Sequence, residues 1–205
     1  MNLSPLYSEL ENNTRELEAK FLDKYLPAKP EDTPDIYRLE VSAFCVLLHS
    51  SLEHYFENLA RKCTEFAVSQ WIHNKGKTNC LISFCINFCS KIEFKSEEFP
   101  LSVDRYINEQ ILSSKAKFLK DLEQNNGATQ KYLSKILAPI GLEINSEVKL
   151  ESSLEKIGEF RGDFAHKVEK LKIPPPEDAK KLSSDCLLYC LELSLFATDA
   201  IKFDK

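Results

Sequence analysis

Residues 152–171 read Ser-Ser-Leu-Glu-Lys-Ile-Gly-Glu-Phe-Arg-Gly-Asp-Phe-Ala-His-Lys-Val-Glu-Lys-Leu, and this stretch decides the fold. Apolar side chains recur at Leu154, Ile157, Phe160, Phe164, Val168 and Leu171. Steps of three and four residues place them on one stripe of an α-helix. Ser152 with Glu155 three positions on predicts a capping box at the helix start. At about 100° per residue, Arg161 falls at the edge of the stripe and His166 nearly opposite its centre. His166 is therefore expected on the polar face, with Glu159, Gly162, Asp163 and Lys170. A glycine inside a helix costs roughly 1 kcal/mol relative to alanine, so Gly162, one turn before His166, is expected where something approaches the backbone.

Working outward, the rest of the chain repeats the helical period. A first amphipathic helix is expected over residues 5 to about 25, with Leu6, Leu10, Leu17, Phe21 and Leu22 apolar. Pro27 and Pro30 end it, and a short acidic linker follows to Pro34. From about Asp35 to Trp71 the residues Val41, Phe44, Cys45, Leu48, Leu52, Tyr55, Phe56, Leu59, Cys63 and Phe66 keep helical register, the spine of a bundle. His49, Glu53 and Glu57 form a column along one flank. Either Glu53 or His49 faces Arg161 and His166 and orients one of them, or the column is solvent-exposed.

Asn74 to Asn79 is a turn, and Cys80 to Ile92 reads as a helix although its Ile, Phe and Cys content also suits a strand. Further helices are expected over 102–124, with Val103, Ile107, Ile111, Leu112, Phe118 and Leu122, and over 128–138 after the turn Gln124 to Gly127. Pro174, Pro175 and Pro176 lead into a final helix, Glu177 to Phe203, expected to pack antiparallel on the stretch quoted first. Its stripe is Leu182, Cys186, Tyr189, Cys190, Leu193, Phe196, Ala200 and Ile201. The expectation is one all-α domain over 1–205, an up-down helical bundle with additional helices. Residues 1–33 supply an N-terminal helix and linker, and 35–203 the bundle core.

Composition agrees and removes several function classes. There are 205 residues with only five glycines, and the formal charge of -5 argues against a protein that coats nucleic acid through a broad basic surface. No run reaches the roughly 18 apolar residues of a membrane span, and the N-terminus lacks a secretory pattern, so a cytoplasmic chain is expected. Seven cysteines, an odd number, fit a reducing compartment. Cys80, Cys85 and Cys89, and Cys186 and Cys190, lack zinc-knuckle spacing and lie on or near apolar stripes, so they read as buried thiols. No metal site and no cofactor is expected. Trp71 with His73 and Lys75 either stacks on a base or packs at a helix end.

The R-x-x-x-x-H arrangement from Arg161 to His166, on the penultimate helix of a helical chain, resembles the HEPN superfamily. The stretch Val46-Leu47-Leu48-His49-Ser50-Ser51-Leu52-Glu53-His54-Tyr55-Phe56-Glu57 is similar to the long early helix of its bacterial defence and toxin branch, RiboL-PSP-HEPN. The position after the arginine, often polar in the family, is Gly162 here, with Asp163 one place later. The resemblance implies a metal-independent endoribonuclease in a toxin or antiphage system. Arg161 and His166 are its catalytic residues, with Asp163, Gly162, Glu53 and His49 in support. It also implies a homodimer that brings two Arg-His pairs into one cleft through this helix, an RNA substrate, and an antitoxin or other regulatory protein as partner. The chemistry suits these side chains, since an imidazole moves protons near neutrality and a guanidinium grips two phosphate oxygens at once. The alternative is a catalytically inactive HEPN-like module that binds a partner protein or nucleotide, favoured by Gly162 and the acidic balance.

Overall fold

The computed structural model describes residues 1–27, 33–89, 103–142, 148–166 and 173–202, with side chains except at 163–166. Its helices are α1 (Ser4–Phe21), α2 (Pro34–Asn74), α3 (Asn79–Phe88), α4 (Val103–Leu122), α5 (Gln130–Ile136), α6 (Val148–His166) and α7 (Pro176–Ala200). Short 3-10 turns at Asp23–Tyr25 and Ala138–Ile140 complete the described elements, and none of these is a strand.

The spine is α2, 41 residues long and so about 60 Å from end to end. Pro34 sits in its first turn, where the missing N–H is no loss. Lys75 closes it in the left-handed conformation at φ 52°, with its N–H donating to the Trp71 carbonyl at 3.0 Å. Every member of the expected stripe from Val41 to Cys63 is buried, and Phe66 is half-buried. Such a stripe excludes water along most of the helix, with each buried Leu or Phe contributing roughly 1.5–3 kcal/mol.

Around the spine, α1 and α7 pack together, tied by the Lys180–Asp23 ion pair at 2.8 Å and by Ser183 donating to Glu18 at 2.5 Å. The Tyr55 hydroxyl donates to the Cys190 carbonyl at 2.8 Å and joins α2 to α7. α6 and α7 run antiparallel, as expected: Lys149 and Ser153 near the start of α6 reach Asp185 well along α7, while Phe160 lies opposite Pro174 and Asp178. α3 is a helix rather than a strand because Thr78 caps it, accepting from Leu81 N–H at 3.0 Å, and Phe84 and Phe88 meet Phe118 of α4. Gly141, at φ 73°, brings the turn after α5 against α3, where a Cβ would strike Ser83 Oγ at 2.6 Å.

Several expectations are corrected. α6 begins at Val148, four residues before Ser152, so no capping box forms there. Glu155 instead reaches outward to α5. Phe196 of α7 is 40% exposed, and Val103 and Leu112 of α4 also face outward. α7 ends at Ala200, and Phe203, like Val168 and Leu171, lies outside the described residues. The membrane expectation is met in one respect: no described helix is long and apolar enough to cross a bilayer.

Candidate functional site

Leu150, Leu154 and Ile157 are the buried face of α6, and Arg161 continues their four-three-four spacing. On a helix that spacing keeps all four side chains on one face, so the arginine stands in line with the core stripe rather than at its edge. The core ends there, and Arg161 is exposed. A cation with an apolar base and a solvated end suits the mouth of a site.

The wall opposite is the flank of α2. His49 is 4% exposed, which overturns the solvent-exposed column for this residue. Its Nε2 accepts the Ala128 N–H over a long 3.4 Å. Burial, and then the nearby Arg161 guanidinium, bring its pKa down to about 4. Glu53, one turn on, is half-buried. Burial and the neighbouring Glu57 carboxylate push its pKa up, while Arg161 draws it down. Arg161 therefore lies within electrostatic reach of His49 and of Glu53, which the sequence column left open. Glu57 is held differently: it accepts from Asn125 Nδ2 at 3.2 Å.

A turn fixes the distance between these walls. Asn125 also donates to the Gly127 carbonyl at 3.0 Å, and Gln130 N–H donates to Glu155 of α6 at 2.8 Å. Gly158 lets the turn close: a Cβ there would sit 2.4 Å from Thr129 Cγ2. Asn125, Ala128, Glu155 and Gly158 were not singled out from sequence as parts of the site. The available signal was the pair Gly158 and Gly162, two costly glycines one turn apart in the same helix. They serve different ends, because a Cβ on Gly162 would meet nothing within 4 Å.

The backbone of α6 extends through His166, which follows Arg161 by five residues, about 140° around the helix. The side chains of Asp163 and His166 lie outside the described residues. Of the expected site, Arg161 lies within electrostatic reach of His49 and Glu53, Gly162 is half-buried with no described atom within 4 Å of a Cβ built on it, and the backbone of His166 shares the helix.

The other candidates resolve as packing. Trp71 Nε1 donates to Asn108 Oδ1 at 2.9 Å, joining α2 to α4, and the Lys75 ammonium lies 5.0 Å from its ring centre. His73 Nδ1 pairs with the Ser69 carbonyl at 2.8 Å. The cysteines are free, and burial pushes the Cys45 and Cys80 thiols up to about 12, which leaves them protonated. Among the described residues no group of three or more His, Cys, Asp or Glu side chains is arranged to hold a metal ion.

Comparison with curated proteins finds no match, and comparison with solved structures finds none either. The family model described as RiboL-PSP-HEPN matches residues 8–198, from α1 nearly to the end of α7. With that match spanning almost the whole bundle, the chain belongs to the RiboL-PSP-HEPN family, a branch of the HEPN superfamily.

Proposed function

We propose that this protein is a metal-independent endoribonuclease of HEPN type, in which Arg161 and His166 cut RNA through the neighbouring 2′-hydroxyl. The reaction needs a base for the 2′-hydroxyl proton, an acid for the leaving 5′-oxygen, and positive charge on the phosphorane. The 2′-oxygen attacks phosphorus and the P–O5′ bond breaks, leaving a 2′,3′-cyclic phosphate and a 5′-hydroxyl. Arg161 binds the non-bridging oxygens, and the His166 imidazole carries protons. One imidazole per chain serves one of the two proton transfers, so a homodimer that joins two Arg-His pairs through α6 supplies the other.

The observation that carries this reading is the placement of Arg161. It is exposed at the end of the buried stripe, within electrostatic reach of a buried histidine and a half-buried glutamate, five residues before His166 on one helix. His49 and Glu53 act as positioning residues. A neutral His49 does not repel the guanidinium, and the Glu53 carboxylate attracts it. Among the described residues nothing crowds a Cβ built on Gly162, which leaves room for RNA or a second subunit beside the helix, and Asp163 is the next residue in the sequence. A cytoplasmic toxin or antiphage setting fits such an activity, with an antitoxin or other regulatory protein to restrain it.

The net charge of -5 and the glycine after Arg161 favour a second reading, a catalytically inactive module that binds a partner protein or nucleotide. Product-end analysis tests the reaction type. Purified protein incubated with RNA in EDTA is expected to leave 2′,3′-cyclic phosphate and 5′-hydroxyl ends. Ends bearing 3′-hydroxyl groups, or an absolute need for a divalent ion, overturn the mechanism. Binding of a nucleotide without any cleavage supports the second reading.

A further inference from the structure

A groove of about 420 Å³ lies between α6 and α7, on a different face of α6 from Arg161. Its floor is polar and buried: Asp185 accepts from Ser153 Oγ at 3.1 Å and pairs with Lys149 at 2.9 Å. Its walls carry Lys156 from α6 and Lys181 from α7, both exposed, with no carboxylate within salt-bridge distance among the described residues. Half-buried Phe160 closes one end. From Lys149 to Phe160 the groove follows α6 for about 16 Å.

Asp185 is engaged by Lys149 and Ser153, so Lys156 and Lys181 stand on the two walls with no carboxylate partner among the described residues. Lysines on opposing walls with an aromatic side chain at one end match what single-stranded nucleic acid needs: cations that track the backbone and a face on which a base stacks. Among the described lining residues Asp178 is the one carboxylate besides Asp185. Phe160 immediately precedes Arg161, so the groove ends on the turn of α6 that bears Arg161, about 100° round the helix from it.

We infer that the α6/α7 groove holds the phosphate backbone of single-stranded RNA, with Lys156 and Lys181 binding successive phosphates and Phe160 stacking a base beside Arg161. The ligand class rests on the ribonuclease reading of Arg161 and His166. Each lysine that neutralises one phosphate of a single strand contributes about 0.7 to the slope of log affinity against log salt. Removing both lowers the slope by about 1.4. Between 1 M and 0.1 M salt that amounts to about 25-fold in affinity.

The test uses the full chain carrying His166→Ala, so that RNA is bound without turnover, and follows the anisotropy of a short fluorescein-labelled single-stranded RNA across a salt titration. Adding Lys156→Ala and Lys181→Ala is expected to weaken binding about 25-fold at 0.1 M salt, with the curves converging near 1 M. Lys117→Ala with Lys120→Ala, which removes the same charge from exposed positions on α4, is expected to change the slope little. Equal slopes for the groove variant and its parent, an equal loss from the α4 variant, or no RNA binding by the parent overturns the assignment. Displacement of the RNA by adenosine monophosphate at comparable concentration also overturns it, since the site then serves a free nucleotide. Cleavage by the unsubstituted protein is scored separately. RNA bound through the groove without cleavage removes the ribonuclease reading and keeps the groove, whereas cleavage with unchanged binding in the groove variant does the reverse.

Discussion

The titration of His49 reports on its burial beneath the turn at Ala128 and, to a smaller extent, on the nearness of Arg161. In an unfolded chain a histidine titrates near 6.5, and in the fold His49 is brought down to about 4 by burial and then by Arg161. The folded value is the lower one, so on acidification the unfolded state takes up the proton first. The stability gained by keeping the ring neutral is complete above about pH 6.5 and is lost as the pH falls from there towards 4. Between pH 7.5 and pH 5.0 the linkage amounts to about 2 kcal/mol, or roughly 4–8 °C in Tm for a chain of this length. Thermal or urea unfolding of the parent and of His49→Gln at the two pH values isolates this contribution, because the carboxylates titrate in both proteins. The parent is expected to lose about 2 kcal/mol more than the variant. Arg161→Gln is expected to soften the parent's loss by less than half, since burial is the larger cause. An unchanged gap between parent and His49→Gln across this range refutes the buried neutral imidazole. An Arg161→Gln curve that parallels the parent refutes the placement of Arg161 over α2.

Other expectations follow from the turn that spaces the two walls. Gly158→Ala drives a Cβ to within 2.4 Å of Thr129 Cγ2 and is expected to cost about 1–3 kcal/mol in urea unfolding. Gly162→Ala meets no described atom within 4 Å and is expected to stabilise by up to about 1 kcal/mol while slowing RNA cleavage; unchanged cleavage removes the close approach assigned to Gly162. Glu155→Ala strips the acceptor from Gln130 N–H at the start of α5, expected to cost about 0.5–2 kcal/mol by analogy with a lost helix cap. Sedimentation of the purified protein is expected to show twice the 23.5 kDa chain mass, and a monomer at micromolar concentration contradicts the shared Arg-His cleft.

Helical periodicity made much of this architecture legible. The spine could be read from Val41 to Phe66 because a long helix buried along one stripe repeats its pattern many times. α3 is short, and although Leu81, Phe84, Cys85 and Phe88 share a helical face, its Ile, Phe and Cys content also suits a strand; Thr78 and Phe118 around it fix the helix. The start of α6 was misread because Ser152 and Glu155 have the letters of a capping box, and letters do not show that Glu155 is engaged by another helix. The same limit applies to the site. Arg161 and His166 were legible through the resemblance of their R-x-x-x-x-H arrangement to the HEPN superfamily, whereas the burial of His49 depends on a turn some eighty positions away that closes over it at Ala128. Non-local contacts of that kind leave no periodic trace.

The measurement that bears most directly on the proposed activity is the single-turnover rate of transfer RNA cleavage in EDTA by the parent, Arg161→Ala and His166→Ala, each shown to be folded by its unfolding curve. The expected result is cleavage by the parent and a loss of at least about 100-fold in each variant, the lower end of what a positioned proton donor or charge clamp contributes. Cleavage by both variants at the parental rate contradicts the assignment of the chemistry to Arg161 and His166.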